Sequence, residues 1–117
     1  MPYIQTVTGQ VPPDTLDFCH CHEHLMIRKG QSFLVNEALC IDSYDKTRAE
    51  LEQFRKAGGS TVVDAQPTGC GRDAEALCLL GHETGIQIIA STGFHKMVFY
   101  PQEHWIFDIG KEALAAL

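Results

Sequence analysis

Cys19-His20-Cys21-His22-Glu23-His24-Leu25 places three of the chain's six histidines within five residues, at positions i, i+2 and i+4. Successive side chains on an extended strand point to opposite faces, so this spacing predicts that His20, His22 and His24 share one face. Next-but-one residues lie roughly 6.6–7 Å apart along a strand, close enough for two imidazoles to converge on one metal ion. A helix would send i and i+2 to diverging faces, so strand and metal form the coherent combination. Taken alone, the pattern fits polar residues at a strand end equally well, and both readings stay open at this point.

The remainder of the chain narrows the choice. Its 117 residues suffice for one small domain with a core and not for two. A hydrophobic content of 44% with 21% charged residues is the profile of a soluble globular protein. The formal net charge is −6 and no basic run occurs, which argues against nucleic acid and anionic membranes as partners. No apolar run approaches the roughly 20 residues of a membrane span, and the N-terminus lacks a signal-peptide pattern. Five cysteines without CxxC spacing read as reduced, mostly buried thiols of a cytoplasmic protein. Cys19 and Cys21 are expected to pack on the face opposite the histidines rather than to bind metal.

Upstream of the histidines, Tyr3, Ile4, Val7 and Val11 surround Gly9, which suggests a short hairpin or arm within residues 1–17. Pro12-Pro13-Asp14 interrupts it, and Phe18 to His22 is the first convincing strand. Leu25 to Ile41 shows no period and reads as a long loop, the kind of connection that often carries function. A helix is expected from Asp42 or Ser43, either able to cap it, to Ala57, where Gly58-Gly59 stops it. Ser60 to Gln66 reads as a buried, β-branched strand, followed by the glycine-rich loop Pro67-Thr68-Gly69-Cys70-Gly71. Asp73 can cap a second helix that ends at Gly85, with Ala76, Leu77 and Leu80 toward the sheet. Ile86 to Thr92 is a third buried strand. Pro101 through Trp105 reads as helical, with a final turn from Asp108 or Gly110.

The order β, α, β, α, β, α implies right-handed crossovers and a parallel α/β sheet, with chemistry at the C-terminal ends of the strands. Those ends are His22 to His24, Asp64 to Gly71 and Thr92 to His95. The Gly69-Cys70-Gly71 loop lacks a nucleotide-binding pattern, and no Ser-His-Asp arrangement or GxSxG elbow is visible.

Four landmarks fall in a known order and spacing. They are Ile4-Gln5-Thr6-Val7-Thr8-Gly9; His22-Glu23-His24-Leu25; Thr61-Val62-Val63-Asp64 leading to Gly71-Arg72-Asp73; and Ala90-Ser91-Thr92-Gly93-Phe94. The chain thereby resembles the N-terminal part of the phosphotriesterase-related proteins of the amidohydrolase superfamily. The resemblance implies a (β/α)8 TIM barrel, of which residues 1–117 would be the first three βα units. It implies two divalent metal ions, usually zinc, at the C-terminal face, and hydrolysis of lactones, carboxylic esters or phosphotriesters by a metal-bridging hydroxide. It carries His22 and His24 onto the first-strand ligands of the more buried metal, chemistry that neutral imidazoles suit.

Within the resemblance, His20 stands where relatives tend to carry an apolar residue facing the barrel interior. It is expected to be a hydrogen-bonded core histidine, or else an extra ligand or a group bonded to one. His95 follows Gly93-Phe94, where many relatives place an aromatic residue near the substrate. It is assigned to substrate binding, against the alternative of a solvated loop histidine. His82 and His104 are expected on helix surfaces.

A complete barrel needs roughly 250 residues, so the chain is expected to be a truncated member. The family's bridging lysine or acidic residue, two further histidines and an aspartate have no counterparts, and Lys96 and Lys111 lie in the wrong places to bridge. Two functions follow. One is a metal-dependent hydrolase that requires the rest of its barrel. The other is a non-catalytic barrel fragment that binds at most one metal weakly and persists as a homo-oligomer.

Overall fold

The computed structural model describes residues 1–117. Gly9, at φ 133°, turns the N-terminal arm back on itself. Strands β1 (Ile4–Thr6) and β2 (Gly9–Val11) pair antiparallel, with Ile4 opposite Val11, as the expected hairpin. A 3-10 turn over Pro13–Thr15 leads into β3 (Cys19–Glu23).

Three strands form the parallel sheet in the order β3-β4-β5, with β4 at Thr61–Asp64 and β5 at Gln87–Ala90. The crossover from β3 to β4 holds α1 (Gln31–Val35) and α2 (Tyr44–Lys56), and that from β4 to β5 holds α3 (Ala74–Thr84). Beyond β5 the chain forms 3-10 turns at Met97–Phe99 and Trp105–Phe107, then one turn of helix, α4 (Lys111–Leu114).

The core lies between the sheet and the two longer helices. Val62 of β4 and Ile88 of β5 are partners in register, and both pack under Leu51, Leu77 and Leu80, joined by Leu25, Met26 and Ile86. Leu77 and Leu80 are fully buried, as their spacing on α3 predicts. Since Val62 and Ile88 face the helices, the opposite face of the sheet carries Val63 and Ile89, which are only half-buried. The apolar residues in and beside these two strands are thus divided by register, Val62, Ile86 and Ile88 lying under the helices.

Local signals set the ends of α3. Asp73 caps it, Oδ1 accepting from the Ala76 amide at 3.0 Å, and Gly85 closes it in the left-handed conformation at φ 68°. At α2 the expected side-chain cap does not form. Ser43 contributes only its carbonyl, to the Thr47 amide at 3.2 Å, and the Thr47 hydroxyl donates to Leu25 O instead.

Two other expectations change. The supposed loop from Leu25 to Ile41 contains α1 and is fastened by the pairing of Ile27 with both Ile41 and Arg72. The segment from Pro101 to Trp105 is not a helix but a chain of tight turns, such as His104 N–H to Pro101 O at 2.9 Å. Aromatic pairs fold it back, Phe94 against Trp105 and Tyr100 against His104.

The sheet's two edges differ. The amides of Gln87 and Ser91 bond toward β4, so Ile88 directs its carbonyl to the other side, where the Val7 amide of the arm donates at 2.8 Å. The arm thus covers part of the β5 edge. At the other edge β3 pairs with nothing but β4, and all five of its residues are exposed. No helix is long and apolar enough to cross a membrane.

Candidate metal centre at the end of the first parallel strand

Strand β3 is irregular where it matters. His20 is opposite Val62 and Glu23 is opposite Asp64, so three steps along β3 match two along β4. Cys21 and His22 together face the single Val63, a β-bulge with one extra residue. The bulge inverts the alternation. His20 lies in register with Val62 and Ile88 on the helix side, its ring 6.4 Å from that of Phe54. Glu23 returns to the same side, with Oε2 3.6 Å from His20 Nε2. His22 and His24 flank Glu23 and present their rings together, centroids 5.4 Å apart.

The three histidines therefore do not share a face. His22 and His24 do; His20 does not, and it is half exposed at the strand edge rather than buried in an interior. Cys19 and Cys21 are exposed as well. Of the five cysteines, all free, only Cys70 is buried, so "mostly buried" is corrected. Cys19 lies in register with Thr61, the face away from the helices. Desolvation, then the neighbouring Cys21, pushes its thiol pKa up, which disfavours the thiolate a metal would need.

The turn after His24 is held from two directions. The Leu25 amide donates to Asp64 Oδ1 at 2.9 Å, and the Leu25 carbonyl accepts from the Thr47 hydroxyl at 3.0 Å. Asp64 is completely buried, and desolvation raises its pKa while the Leu25 amide and His24 oppose the rise. Its Oδ2 has no partner.

Gln66, two residues beyond β4 and buried, places Oε1 2.8 Å from His24 Nδ1. Sequence reasoning passed over this residue. The only available signal was a polar side chain at the C-terminal end of a buried strand. Its Nε2 donates to the Cys70 carbonyl. Arg72 ties the same loop to the end of β5, donating to Ser91 O at 2.6 Å and to Thr68 Oγ1 at 2.7 Å.

His95 comes to the same end of the sheet. A cavity of about 240 Å³ is bordered by His24, Gln66, Cys70, His95 and Phe99. The His95 ring stands 4.5 Å from that of Phe99, and its Nδ1 accepts from the Lys96 amide. Desolvation first, then His24 and Lys96, lowers its pKa, so it is neutral near pH 7. A larger cleft of about 640 Å³ opens between β3 and α2, over Leu51, Phe54 and Val62. His24 borders both and His22 neither; the smaller cavity is the one at the strand ends, where the architecture concentrates chemistry. His82 is exposed on α3, as expected. His104 is half-buried just before a 3-10 turn, where its Nδ1 accepts from the Ile106 amide, so its assignment to a helix surface is corrected.

Two imidazoles at 5.4 Å fit a divalent cation as part of its donor set, because neutral nitrogen ligands suit zinc. No cluster of three or more His, Cys, Asp or Glu completes a set within the chain.

Residues 2–111 match the model of the phosphotriesterase family. A phospho-furanose lactonase of Mycoplasmopsis agalactiae is 28% identical over 100 residues, covering 84% of this chain and 28% of the relative. An N-acetyltaurine hydrolase of Danio rerio is 30% identical over 129 residues, covering 86% and 37%. The crystal structure of a lactonase from Listeria monocytogenes superposes with a TM-score of 0.78 at 29% identity, over 94% of this chain and 35% of that one. The chain spans about a third of the length of these relatives.

Proposed function

Since the chain belongs to the phosphotriesterase family, we propose that it supplies the first-strand ligands of a metal-dependent hydrolase acting on a lactone, carboxylic ester or phosphotriester. The observation that carries the proposal is the pairing of His22 and His24, turned to one face by the bulge at the C-terminal end of a parallel strand. Lactone hydrolysis is supported by the lactonases among the relatives and structural neighbours.

His22 and His24 would hold one divalent ion, with zinc the best match for imidazole donors. When bound, such an ion supplies Lewis-acid polarisation and acidifies water. The chain's own residues provide the surroundings. Asp64 and Thr47 fix the turn behind His24, Gln66 holds its ring, and the cavity beside them offers neutral His95 and the Phe99 ring to a small substrate. With its Nδ1 lone pair occupied by the Lys96 amide, a neutral His95 presents Nε2–H and can donate to a substrate oxygen.

A second reading applies to the 117 residues by themselves. Two imidazoles fall short of the three or four protein ligands of ordinary zinc sites, and no third donor joins them. In that reading the chain binds one metal weakly and self-associates through the open β3 edge. A panel of lactone, ester and phosphotriester substrates tests both. The chain alone should show no turnover above buffer with zinc added. Turnover abolished by chelation and by His22→Ala would establish a self-sufficient hydrolase and remove the second reading.

A further inference from the structure

We propose that Gln66 is a positioning residue that sets the tautomer of His24, keeping Nδ1 protonated and leaving the Nε2 lone pair free for a divalent cation. The proposal rests on the reading of His24 as a ligand and deepens it, by saying which nitrogen binds and what holds it there.

The hydrogen-bond directions leave no other assignment. The Cys70 carbonyl can only accept, so the side-chain atom of Gln66 that reaches it is the amide nitrogen. The other end of the amide is then the oxygen, 2.8 Å from His24 Nδ1. That oxygen can only accept, so Nδ1 must carry a proton. In a neutral imidazole Nε2 is then the acceptor, the atom with a lone pair to give a cation. Metal-binding histidines commonly have such a partner on the nitrogen that does not ligate, and the partner orients the ring as well.

The anchor is rigid enough for the task. Gln66 is 3% exposed. The Cys70 carbonyl is presented by a loop with Gly69 at φ 77° and Gly71 at φ 86°, conformations that side-chain-bearing residues rarely adopt. At Gly71 the backbone of Arg28 comes so close that a Cβ would meet its carbonyl oxygen at 2.7 Å, and the Arg28 amide donates to Gly71 O at 2.7 Å. The loop after β4 and the segment after β3 are thus stitched together, with Gln66 and His24 between them. A role confined to bracing the Cys70 carbonyl would need only the amide nitrogen. The contact with Nδ1 is a second one, made to a residue 42 positions away.

Long-range ¹⁵N–¹H correlation spectra of the 117-residue chain without metal, at about pH 8 where ordinary imidazoles are neutral, read the tautomer directly. His24 should appear as the Nδ1–H form; an Nε2–H His24 in the unaltered chain overturns the proposal without any variant. Gln66→Leu should release His24 to the Nε2–H form and weaken zinc binding about 10- to 100-fold. Gln66→Glu, which keeps the acceptor but loses the donor to Cys70, should retain the Nδ1–H form and hold zinc at least as tightly as the unaltered chain. A Glu variant that behaves like the Leu variant would mean that Gln66 serves only the loop. Zinc titration of His24→Ala separates the two claims: undiminished binding there removes His24 as a ligand, whatever the tautomer spectra show.

Discussion

His20 and Glu23, three residues apart on one strand, reach the same side of the sheet, with Nε2 and Oε2 3.6 Å apart. A regular strand would put residues i and i+3 on opposite faces. The extra residue opposite Val63 makes the difference, and it is also what turns His22 and His24 away from the helices. Removing Cys21 should therefore regularise β3 without separating the His22 and His24 rings, and zinc affinity should survive the deletion. His20→Ala should leave zinc affinity unchanged and cost less than about 1 kcal/mol, since the pair is half exposed. Zinc titration and urea unfolding check both. Loss of binding in either variant would restore His20 or a regular strand to the account.

Asp73 does two things at once. It caps α3 and accepts from Arg28 Nε at 2.8 Å. Asp73→Ala should cost about 1–2 kcal/mol, mostly from the lost cap, because Arg28 is largely exposed. The hydrogen bond from Arg28 holds the Asp73 carboxyl below its ordinary pKa of 3.8. A depressed carboxyl stabilises the fold fully above its unfolded pKa, and that stabilisation is lost as pH falls through the lower, folded value. The unaltered chain should therefore weaken below pH 3.8, and Asp73→Ala should show a shallower loss there in acid titrations followed by circular dichroism.

Asp64 runs the other way. Burial raises its pKa above 3.8, so the folded state holds its proton longer than the unfolded state does. Its contribution makes folding less favourable as pH rises from 3.8 toward the folded value. Asp64→Asn keeps an oxygen for the Leu25 amide and cannot ionise, so it should flatten that loss in denaturant midpoints taken across the same range. Asp64→Ala leaves the Leu25 amide without its partner and should destabilise by about 1–3 kcal/mol.

These residues show what was legible in the sequence. Asp73 and Gly85 could be read as the ends of α3 because capping depends on neighbours three or four residues away. The parallel order β3-β4-β5 followed from the alternation of β-branched runs with helical ones. The bulge was not legible, because the extra residue exists only relative to β4 and nothing in Cys19 to Glu23 marks it. Gln66 and His24 are brought together by tertiary structure, and a lone glutamine after a strand carries no pattern. The turns around His104 misled for a related reason: aromatic contacts from Phe94 and Tyr100 override local helical spacing.

The open edge has a consequence for assembly. The arm protects β5 at Ile88, while β3 presents an unpaired edge beside a cleft floored by Leu51, Phe54 and Val62. Unpaired edges and uncovered apolar surface favour association. Sedimentation at micromolar concentration should show oligomers. A monodisperse monomer with cooperative unfolding would show that the three strands and their helices close their own core.

His22 and His24 are proposed to hold the metal together. Zinc bound per chain after equilibrium dialysis measures it most directly, for the unaltered chain, for Cys19→Ala/Cys21→Ala and for His22→Ala/His24→Ala. On that proposal the cysteine double variant should retain the zinc of the unaltered chain, and the histidine double variant should retain none. Undiminished zinc in the histidine double variant would contradict it.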